Sequence, residues 1–307
     1  MKIVVAIDGS TSSEAAVDAL TNLQLEPGTE IKLITATEPF NQSAGYKAAE
    51  KLEGIAHELH EKFGDCKISL EIAQGDAKAC ITDIAKEWYA NLIIMGSRNQ
   101  SGLKRMLMGS VSQGVLTQSQ CPVVIAKAGE DYAPRNGFKR IMMTVDNSEY
   151  SKAALGWLHE FQWGVDTQFK IVTAVPKLVD SFDSVESITY ATNVTRHHDE
   201  LIDSARAELI KLCSDLAARY SLNNISSEVG EGDPKDVIVS IATNWSADLI
   251  VMGSHGRTGF NKLLLGSVSQ AVALQAPCSV AIVRGIVGKS RARQKQTGLF
   301  SVPNIKG

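Results

Sequence analysis

The chain alternates between short apolar runs rich in β-branched residues and longer stretches in which apolar residues recur with helical spacing. Short apolar runs bounded by turn residues predict buried strands, and apolar residues three and four positions apart predict amphipathic helices. The first half of the chain has predicted strands at Ile3–Ile7, Ile31–Thr35, Ile68–Ile72, Leu92–Met95 and Val123–Ala126. The predicted helices between them are Ser12–Leu23, Ala44–Phe63, Ala77–Trp88 and Ser110–Gln118.

The second half of the chain repeats the same series of predicted strands. Its predicted strands are Ile141–Val145, Phe169–Ala174, Ser226–Val229, Leu249–Met252 and Ser279–Val283. The first strand and the Asp that follows it recur at an offset of 138, whereas the later landmarks, such as Gly109-Ser-Val-Ser-Gln and Gly266-Ser-Val-Ser-Gln, are 157 apart. The second copy therefore carries 19 additional residues, which fall between Pro176 and about Glu200. A repeat of this length indicates a duplicated domain rather than a solenoid unit.

Alternation of strands and helices, with nearly continuous apolar strands, predicts a parallel sheet covered by helices on both faces. The fold class is therefore α/β, with two tandem doubly wound domains of five parallel strands each. We expect domains at residues 1–130 and 138–285, joined by a turn-rich segment, and a basic flexible tail at residues 286–307. Ligands in such folds bind beyond the carboxyl ends of the strands, so the residues that follow each strand are the candidates for a site.

Composition removes several classes of function. A formal charge of −3 gives no support to a nucleic-acid-binding surface, and no apolar run approaches the roughly 20 residues of a membrane span. Asp8 interrupts the apolar stretch that a signal peptide would need. The five cysteines are scattered and odd in number, which argues against a disulfide framework or a structural zinc site. These observations together predict a cytoplasmic protein without a metal centre.

The fourth strand of the second copy leads into a loop with the spacing Gly253-x2-Gly256-x9-Gly266-Ser267. Glycines let a backbone approach a ligand closely, and the helix that opens at Gly266-Ser267 offers unpaired N–H groups to a phosphate. Hydroxyl groups of Ser267 and Ser269 are candidate donors to the same oxygens. The alternative interpretation is a capping box formed by Ser267 and Gln270, within a loop that binds nothing. The pattern is neither a Walker A loop nor GxGxxG.

The glycine-serine spacing, the Asp after the first strand and the duplicated strand order resemble the ATP-binding universal stress proteins. The resemblance covers nearly the whole chain, with one family domain per copy. It implies that Asp146 lies near the nucleoside and that Val175 meets the adenine. The ribose and phosphate side would be lined by Met252, Gly253, His255 and Gly256, and the phosphates would be held by Gly266, Ser267, Val268 and Ser269. It also implies ATP as ligand, often with Mg²⁺, slow or absent hydrolysis, and a role in stress adaptation.

The first copy departs from this pattern. Asn99 replaces the second glycine, Arg98 replaces the histidine and Thr37 replaces Val175. Five candidate site residues are retained in the first copy: Asp8, Gly96, Gly109, Ser110 and Ser112. We expect the two sites to differ in affinity for nucleotide.

No catalytic residue is assigned. His255 has no sequence-visible partner for a catalytic triad, so a packing or hydrogen-bonding role is favoured over a general base. His197 and His198 are adjacent and diverge on a helix, which predicts a solvated face. Asp8 and Asp146 have the alternative role of turn residues that cap the following helix.

The favoured function is a binding protein that holds adenine nucleotide as a signal or stabilising ligand. The alternatives are a slow ATPase and a protein-interaction scaffold that binds no nucleotide. In the family that the chain resembles, the last strand commonly pairs with the last strand of another domain, and edge strands invite such pairing. The resemblance therefore implies that the last strands of the two copies, Val123–Ala126 and Val280–Val283, form a pseudo-dimer within the chain. Further homo-oligomerisation is expected by analogy with the family, and neither a membrane nor a nucleic acid is an expected partner.

Overall fold

The computed structural model describes residues 1–39, 42–97, 108–127, 137–178, 187–220, 224–256 and 265–285. The segment that joins the two halves and the basic tail predicted at residues 286–307 lie outside these ranges. So do most of the two glycine-rich loops, which include Arg98 and Asn99 of the first half.

Within these ranges, each half contains five strands and four helices in strict alternation. The first half consists of β1 (Lys2–Ala6), α1 (Thr11–Thr21), β2 (Glu30–Thr37), α2 (Gln42–Lys62), β3 (Lys67–Gln74), α3 (Ala77–Glu87), β4 (Leu92–Gly96), α4 (Ser110–Gln118) and β5 (Val123–Ala126). The second half consists of β6 (Arg140–Thr144), α5 (Glu149–Leu158), β7 (Gln168–Val175), α6 (Ser187–Tyr220), β8 (Ile225–Glu231), α7 (Pro234–Asn244), β9 (Leu249–Gly253), α8 (Ser267–Gln275) and β10 (Ser279–Val283).

All ten strands form one sheet in the order β3-β2-β1-β4-β5-β10-β9-β6-β7-β8. The strands of each half are parallel, which confirms the predicted doubly wound fold, and the two halves meet where β5 pairs with β10 in the antiparallel sense. In that register Val124 lies opposite Ala281, its counterpart in the other copy. Gln24 and Gln162, which are also counterparts, form an isolated antiparallel bridge. The pseudo-dimer predicted from the edge strands is therefore present within the chain.

The sheet is buried on both faces, which explains why its central strands are apolar without alternation. One cluster of buried side chains joins the sheet to α1, α2, α5 and α6. A second cluster on the opposite face joins it to α3, α4, α7 and α8. The strand β9, with the sequence Leu-Ile-Val-Met-Gly, is buried along its whole length.

The additional residues of the second half lengthen one helix. The helix α6 has 34 residues, whereas its counterpart α2 has 21. Residues 179–186, which precede α6, lie outside the described ranges. Within those ranges, no helix is long and apolar enough to cross a membrane.

Candidate functional site

The first strand of each half ends one residue earlier than the sequence predicts, and the Asp that both halves carry, Asp8 or Asp146, lies two residues beyond its end. Asp146 Oδ1 accepts hydrogen bonds from Ser148 N at 3.1 Å and from Ser148 Oγ at 2.6 Å. Ser148 is the N-cap of α5, and its Oγ accepts from Ser151 N at 3.1 Å. The helix cap is therefore the serine, and Asp146 holds that serine in place. The turn role and a ligand-facing role of this carboxylate are compatible.

The first half repeats this arrangement. Asp8 Oδ1 accepts from Ser10 N at 2.9 Å and from Ser10 Oγ at 2.6 Å. Burial opposes ionisation of Asp8, but side-chain and backbone hydrogen bonds from Ser10 outweigh it and leave the pKa of the carboxyl below its usual value. The carboxylate is thus a fixed negative charge at the carboxyl end of β1.

Two glycines of the second loop are required for different physical reasons. A β-carbon on Gly256 would lie 2.9 Å from Asp146 Oδ2, so glycine is what allows this loop to pass over the carboxylate. A β-carbon on Gly253 would instead lie 2.7 Å from the carbonyl carbon of Tyr150, in α5. In the first half, a β-carbon on Gly96 would overlap the backbone of Ser12 in α1. Gly96 and Gly253 therefore allow a helix to pack against the end of a strand.

Among the described residues, no side chain caps the start of helix α8. Its N-cap is Gly266, whose N–H donates to Ser254 O at 2.8 Å and whose carbonyl accepts from Gln270 N. Ser267 is already inside the helix, so the capping-box interpretation is wrong. Helix α4 begins in the same way, with Gly109 as an uncapped N-cap and Ser110 as its first residue. In the part of the chain that the structure describes, the N–H groups of the first turn of each helix are thus left without a capping side chain.

The second serine of each helix start faces inward. Ser269 is buried and donates its hydroxyl proton to Gly253 O at 2.8 Å, while Ser112 donates to Gly96 O at 3.0 Å. These bonds fasten the start of the helix to the end of the preceding strand. Ser269 is a predicted phosphate donor, but its hydroxyl proton is donated within the protein, to Gly253 O. Ser267, in contrast, is exposed at the helix start.

Three other predicted site residues are partly or wholly buried. Met252 is buried among the side chains between the sheet and α7 and α8, so only its backbone is available to a ligand. Val268 packs against the same cluster and is partly buried. Val175, at the end of β7, is half-buried and pairs with Glu231 of β8.

His255 is a buried neutral side chain. It is 6% exposed, its Nδ1 lies 3.1 Å from Ser254 Oγ, and its ring lies 4.8 Å from the ring of Tyr150. Nε2 has no hydrogen-bond partner among the described residues. Burial, and secondarily the charge of Arg284, lower the pKa of the imidazole below its usual value. This environment favours the packing role over a general base.

The family model of the universal stress proteins matches the chain twice, at residues 1–127 and 137–284. The chain belongs to the universal stress protein family. A universal stress protein of Mycolicibacterium smegmatis is 27% identical over 303 residues, which cover 92% of this chain and 96% of that relative. A universal stress protein of Mycobacterium tuberculosis is 25% identical over 300 residues, with the same coverage. The chain is thus similar in length and organisation to relatives that match both of its halves.

A solved structure supports the same fold. The crystal structure of a universal stress protein from Archaeoglobus fulgidus has a TM-score of 0.64 and 21% sequence identity to this chain. The match covers 92% of this chain and 98% of the other. At this identity the likeness concerns the fold of a tandem universal stress protein.

One residue near the site of this universal stress protein was assigned wrongly from its sequence. His197 is 74% exposed, as predicted for a solvated face, but the side chain of His198 is 12% exposed. Its Nε2 lies 3.0 Å from Glu231 Oε2, at the end of β8. The pair joins α6 to the same edge of the sheet as Val175. Local spacing carries no signal for this contact, because 33 positions separate the two residues.

The two halves also differ in charge beside the conserved Asp. In the first half Lys51 Nζ donates to Gly9 O at 2.8 Å. The counterpart of Lys51 is Glu208, whose Oε2 accepts from Asn147 Nδ2 at 2.7 Å. A cation in one half therefore stands where the other half has an anion, at a turn residue next to Asp8 or Asp146.

Proposed function

We propose that the second half of this universal stress protein binds ATP at the carboxyl edge of its sheet. The observation that carries the proposal is the uncapped start of α8 at Gly266, on the same loop as Gly256 and thus on the side of Asp146. A helix N-terminus offers N–H groups and the positive end of its dipole, which suit a phosphate chain.

The remaining site residues fit this ligand in the following way. The backbone N–H groups of Ser267, Val268 and Ser269 would hold phosphate oxygens, with the hydroxyl of Ser267 as an additional donor. Asp146 would accept from a hydroxyl of the nucleoside, since a fixed carboxylate is a hydrogen-bond acceptor. Val175 would supply an apolar wall to the base. ATP would be held with or without Mg²⁺, and the protein would be cytoplasmic.

We infer that the bound nucleotide is a signal or a stabilising ligand with little turnover. His255, the histidine of the loop, is buried and its ring packs against Tyr150, so we assign it a packing role rather than that of a proton acceptor at an attacking water. A ligand that binds only the folded state stabilises that state, and above its dissociation constant the stabilisation grows with the logarithm of the ligand concentration. Occupancy of the site would therefore change the stability of the whole molecule.

The first half is expected to bind nucleotide more weakly. It keeps the uncapped helix start at Gly109 and the fixed carboxylate of Asp8. Its glycine-rich loop, however, has Asn99 in place of the second glycine. Calorimetric titration of the full chain should therefore resolve a tight and a weak class of site, whereas two equal sites would contradict this assignment.

The test of function is the nucleotide that accompanies the protein through purification. Denaturation of the purified chain followed by anion-exchange chromatography identifies the released nucleotide. Intact ATP that persists over hours supports the binding protein. ADP that accumulates and exchanges indicates a slow ATPase instead, and a protein that is empty and does not bind added ATP indicates a scaffold.

A further inference from the structure

Two basic side chains cross between the halves at the centre of the sheet. Lys127 directly follows β5 and Arg284 directly follows β10, so the two residues are counterparts, 157 positions apart. Because β5 and β10 run antiparallel, each of these side chains leaves its own half and reaches the other.

Each of them binds the carboxyl end of a helix in the opposite half. Lys127 Nζ donates to Leu274 O at 3.1 Å and to Ala276 O at 2.7 Å, at the end of α8. Arg284 Nη2 donates to Leu116 O at 2.6 Å and to Thr117 O at 2.8 Å, at the end of α4. The last carbonyls of a helix lack partners within it, and a cation there is favourable. The two contacts form a reciprocal pair of clamps.

The clamped helices are the ones whose other ends form the proposed phosphate sites. Both α4 and α8 have nine residues, a length that is marginal for an isolated helix in water. At about 1.5 Å per residue, the clamp lies roughly 13 Å from the uncapped end. Nine residues make only about two and a half turns, so a contact that holds the last turn also restrains the position of the first turn.

We propose that Lys127 and Arg284 are positioning residues that act crosswise, so that the phosphate site of each half is complete only when the other half supplies its clamp. The inference rests on the proposed function, because it concerns the same helix starts. By this inference, Lys127 of the first half contributes to the phosphate site of the second half, although it lies outside the glycine-serine pattern of that site.

A second observation relates Arg284 to the second site as well as to α4. It follows β10 directly, and a β-carbon on the next residue, Gly285, would lie 3.2 Å from the ring of Tyr150, which contacts His255. The charge of Arg284 contributes to the lowered pKa of His255. Arg284 thus links the loop of the second site to the helix of the first.

Lys127 offers a readout that a purely structural contact would not give. Burial lowers the pKa of Lys127 to about 8, and negative charge at Cys278 opposes this shift. The ammonium is therefore lost near pH 8, whereas an arginine at this position would keep its charge. The clamp on α8 should weaken as the pH rises through this range.

The first experiment is an ATP titration of the full chain and of four variants at Lys127 and Arg284. Lys127→Met should weaken the tight class of site at least fivefold, and Lys127→Arg should restore it to within twofold of the wild type. Between pH 7 and pH 9 the wild type should lose several-fold in affinity, while Lys127→Arg changes less than twofold. Arg284→Met should weaken the other class of site, with rescue by Arg284→Lys. Equal affinity of Lys127→Met and wild type at pH 7 would overturn the proposal.

The second experiment needs no nucleotide and separates this inference from the proposed function. In amide hydrogen exchange of the unliganded chain, Lys127→Met should speed exchange at least fivefold across residues 267–275, and Arg284→Met across residues 110–118. Faster exchange confined to the half that carries the substitution would contradict crosswise positioning. If the wild type binds no ATP and the crosswise pattern still appears, the proposed function fails and the clamps stand.

Discussion

The carboxylate of Asp146 lies against the α-carbon of Gly256, close enough that a β-carbon there would sit 2.9 Å from Oδ2. Asp146 lies in the loop that follows β6 and Gly256 in the loop that follows β9, and the two residues are 110 positions apart. Ser148 holds the carboxylate in its place through two hydrogen bonds to Oδ1. The glycine is therefore a requirement of the carboxylate's position rather than of the loop's own backbone.

Gly256→Ala is expected to weaken ATP binding at least tenfold while the protein stays folded. The added methyl group must displace the loop or the carboxylate, and both form part of the proposed site. Calorimetric titration measures the affinity, and urea unfolding reports the fold. Gly156→Ala is the matched control, because a β-carbon at Gly156, in α5, meets nothing within 4 Å. If both variants bind ATP as the wild type does, Gly256 is not part of the site.

Gly96→Ala is expected to act on stability. Its β-carbon would overlap the backbone of Ser12, and overpacking of this kind costs about 1–3 kcal/mol. The free energy of unfolding from urea denaturation is the measurement. Gly54→Ala, at an open position of α2, should instead raise stability by about 0.5–1 kcal/mol, since alanine is the better helix former. An unchanged stability of Gly96→Ala would mean that α1 can move away from β4 at little cost.

The strands and helices could be predicted from the sequence because their signal is local. A strand such as Leu92–Gly96 is buried on both faces, so it appears as an uninterrupted apolar run between turns. The duplication could be recognised because the same local patterns recur. The Gly-Ser pairs at Gly109 and Gly266, for example, each begin a helix of nine residues. The pairing of β5 with β10 was expected by analogy with the family, since no local pattern indicates which strands pair.

The contacts that give each residue its role are not local and were not predictable. Gly253 and Gly256 are only three positions apart, at the end of β9 and in the loop that follows it, yet one makes room for α5 and the other for Asp146. A sequence pattern records only that both are glycine. Likewise, nothing near Lys127 in the sequence indicates that it binds the carbonyls of residues about 150 positions away. A sequence pattern can therefore predict where a site lies without assigning the roles of its residues.

Each half also contains a cluster of one lysine, one glutamate and one tryptophan that could not be predicted from the sequence, for the same reason. Lys32 Nζ lies 2.6 Å from Glu71 Oε2 and 5.1 Å from the ring centroid of Trp88. The second half repeats the cluster with Lys170, Glu228 and Trp245 at nearly the same distances. Each cluster joins two neighbouring strands to the end of a helix. Its members are far apart in the chain and become recognisable only when the strands are paired.

Ser267 and Ser269 are expected to separate ligand binding from stability. Ser269→Ala leaves the buried carbonyl of Gly253 without its donor, which costs about 1–3 kcal/mol. Ser267→Ala removes an exposed hydroxyl, so its stability should stay within about 0.5 kcal/mol of the wild type. ATP affinity should fall in Ser267→Ala by several-fold. Urea unfolding and calorimetry on both variants make the comparison, and the reverse pattern would exchange the roles of the two serines.

The buried His255 is expected to make stability depend on pH in a defined direction. Burial, and then the charge of Arg284, hold the pKa of the folded-state imidazole below its usual value of 6.5, which the unfolded chain retains. As the pH falls through 6.5 the unfolded chain takes up the proton first, so the free energy of unfolding must decrease. The decrease ends below the pKa of the folded state, and the contribution of His255 is fully present above pH 6.5.

His255→Asn tests this linkage, because asparagine can keep the bond to Ser254 Oγ and does not titrate in this range. Urea midpoints measured from pH 5 to pH 8 should fall more steeply toward acid for the wild type than for the variant, with the two curves parallel above pH 7. Carboxylates such as Asp8 titrate in both proteins and cancel in the difference between them. Parallel curves down to pH 5 would mean that the imidazole reaches water in the folded protein, and the neutral, packed histidine assigned to the second site would be wrong.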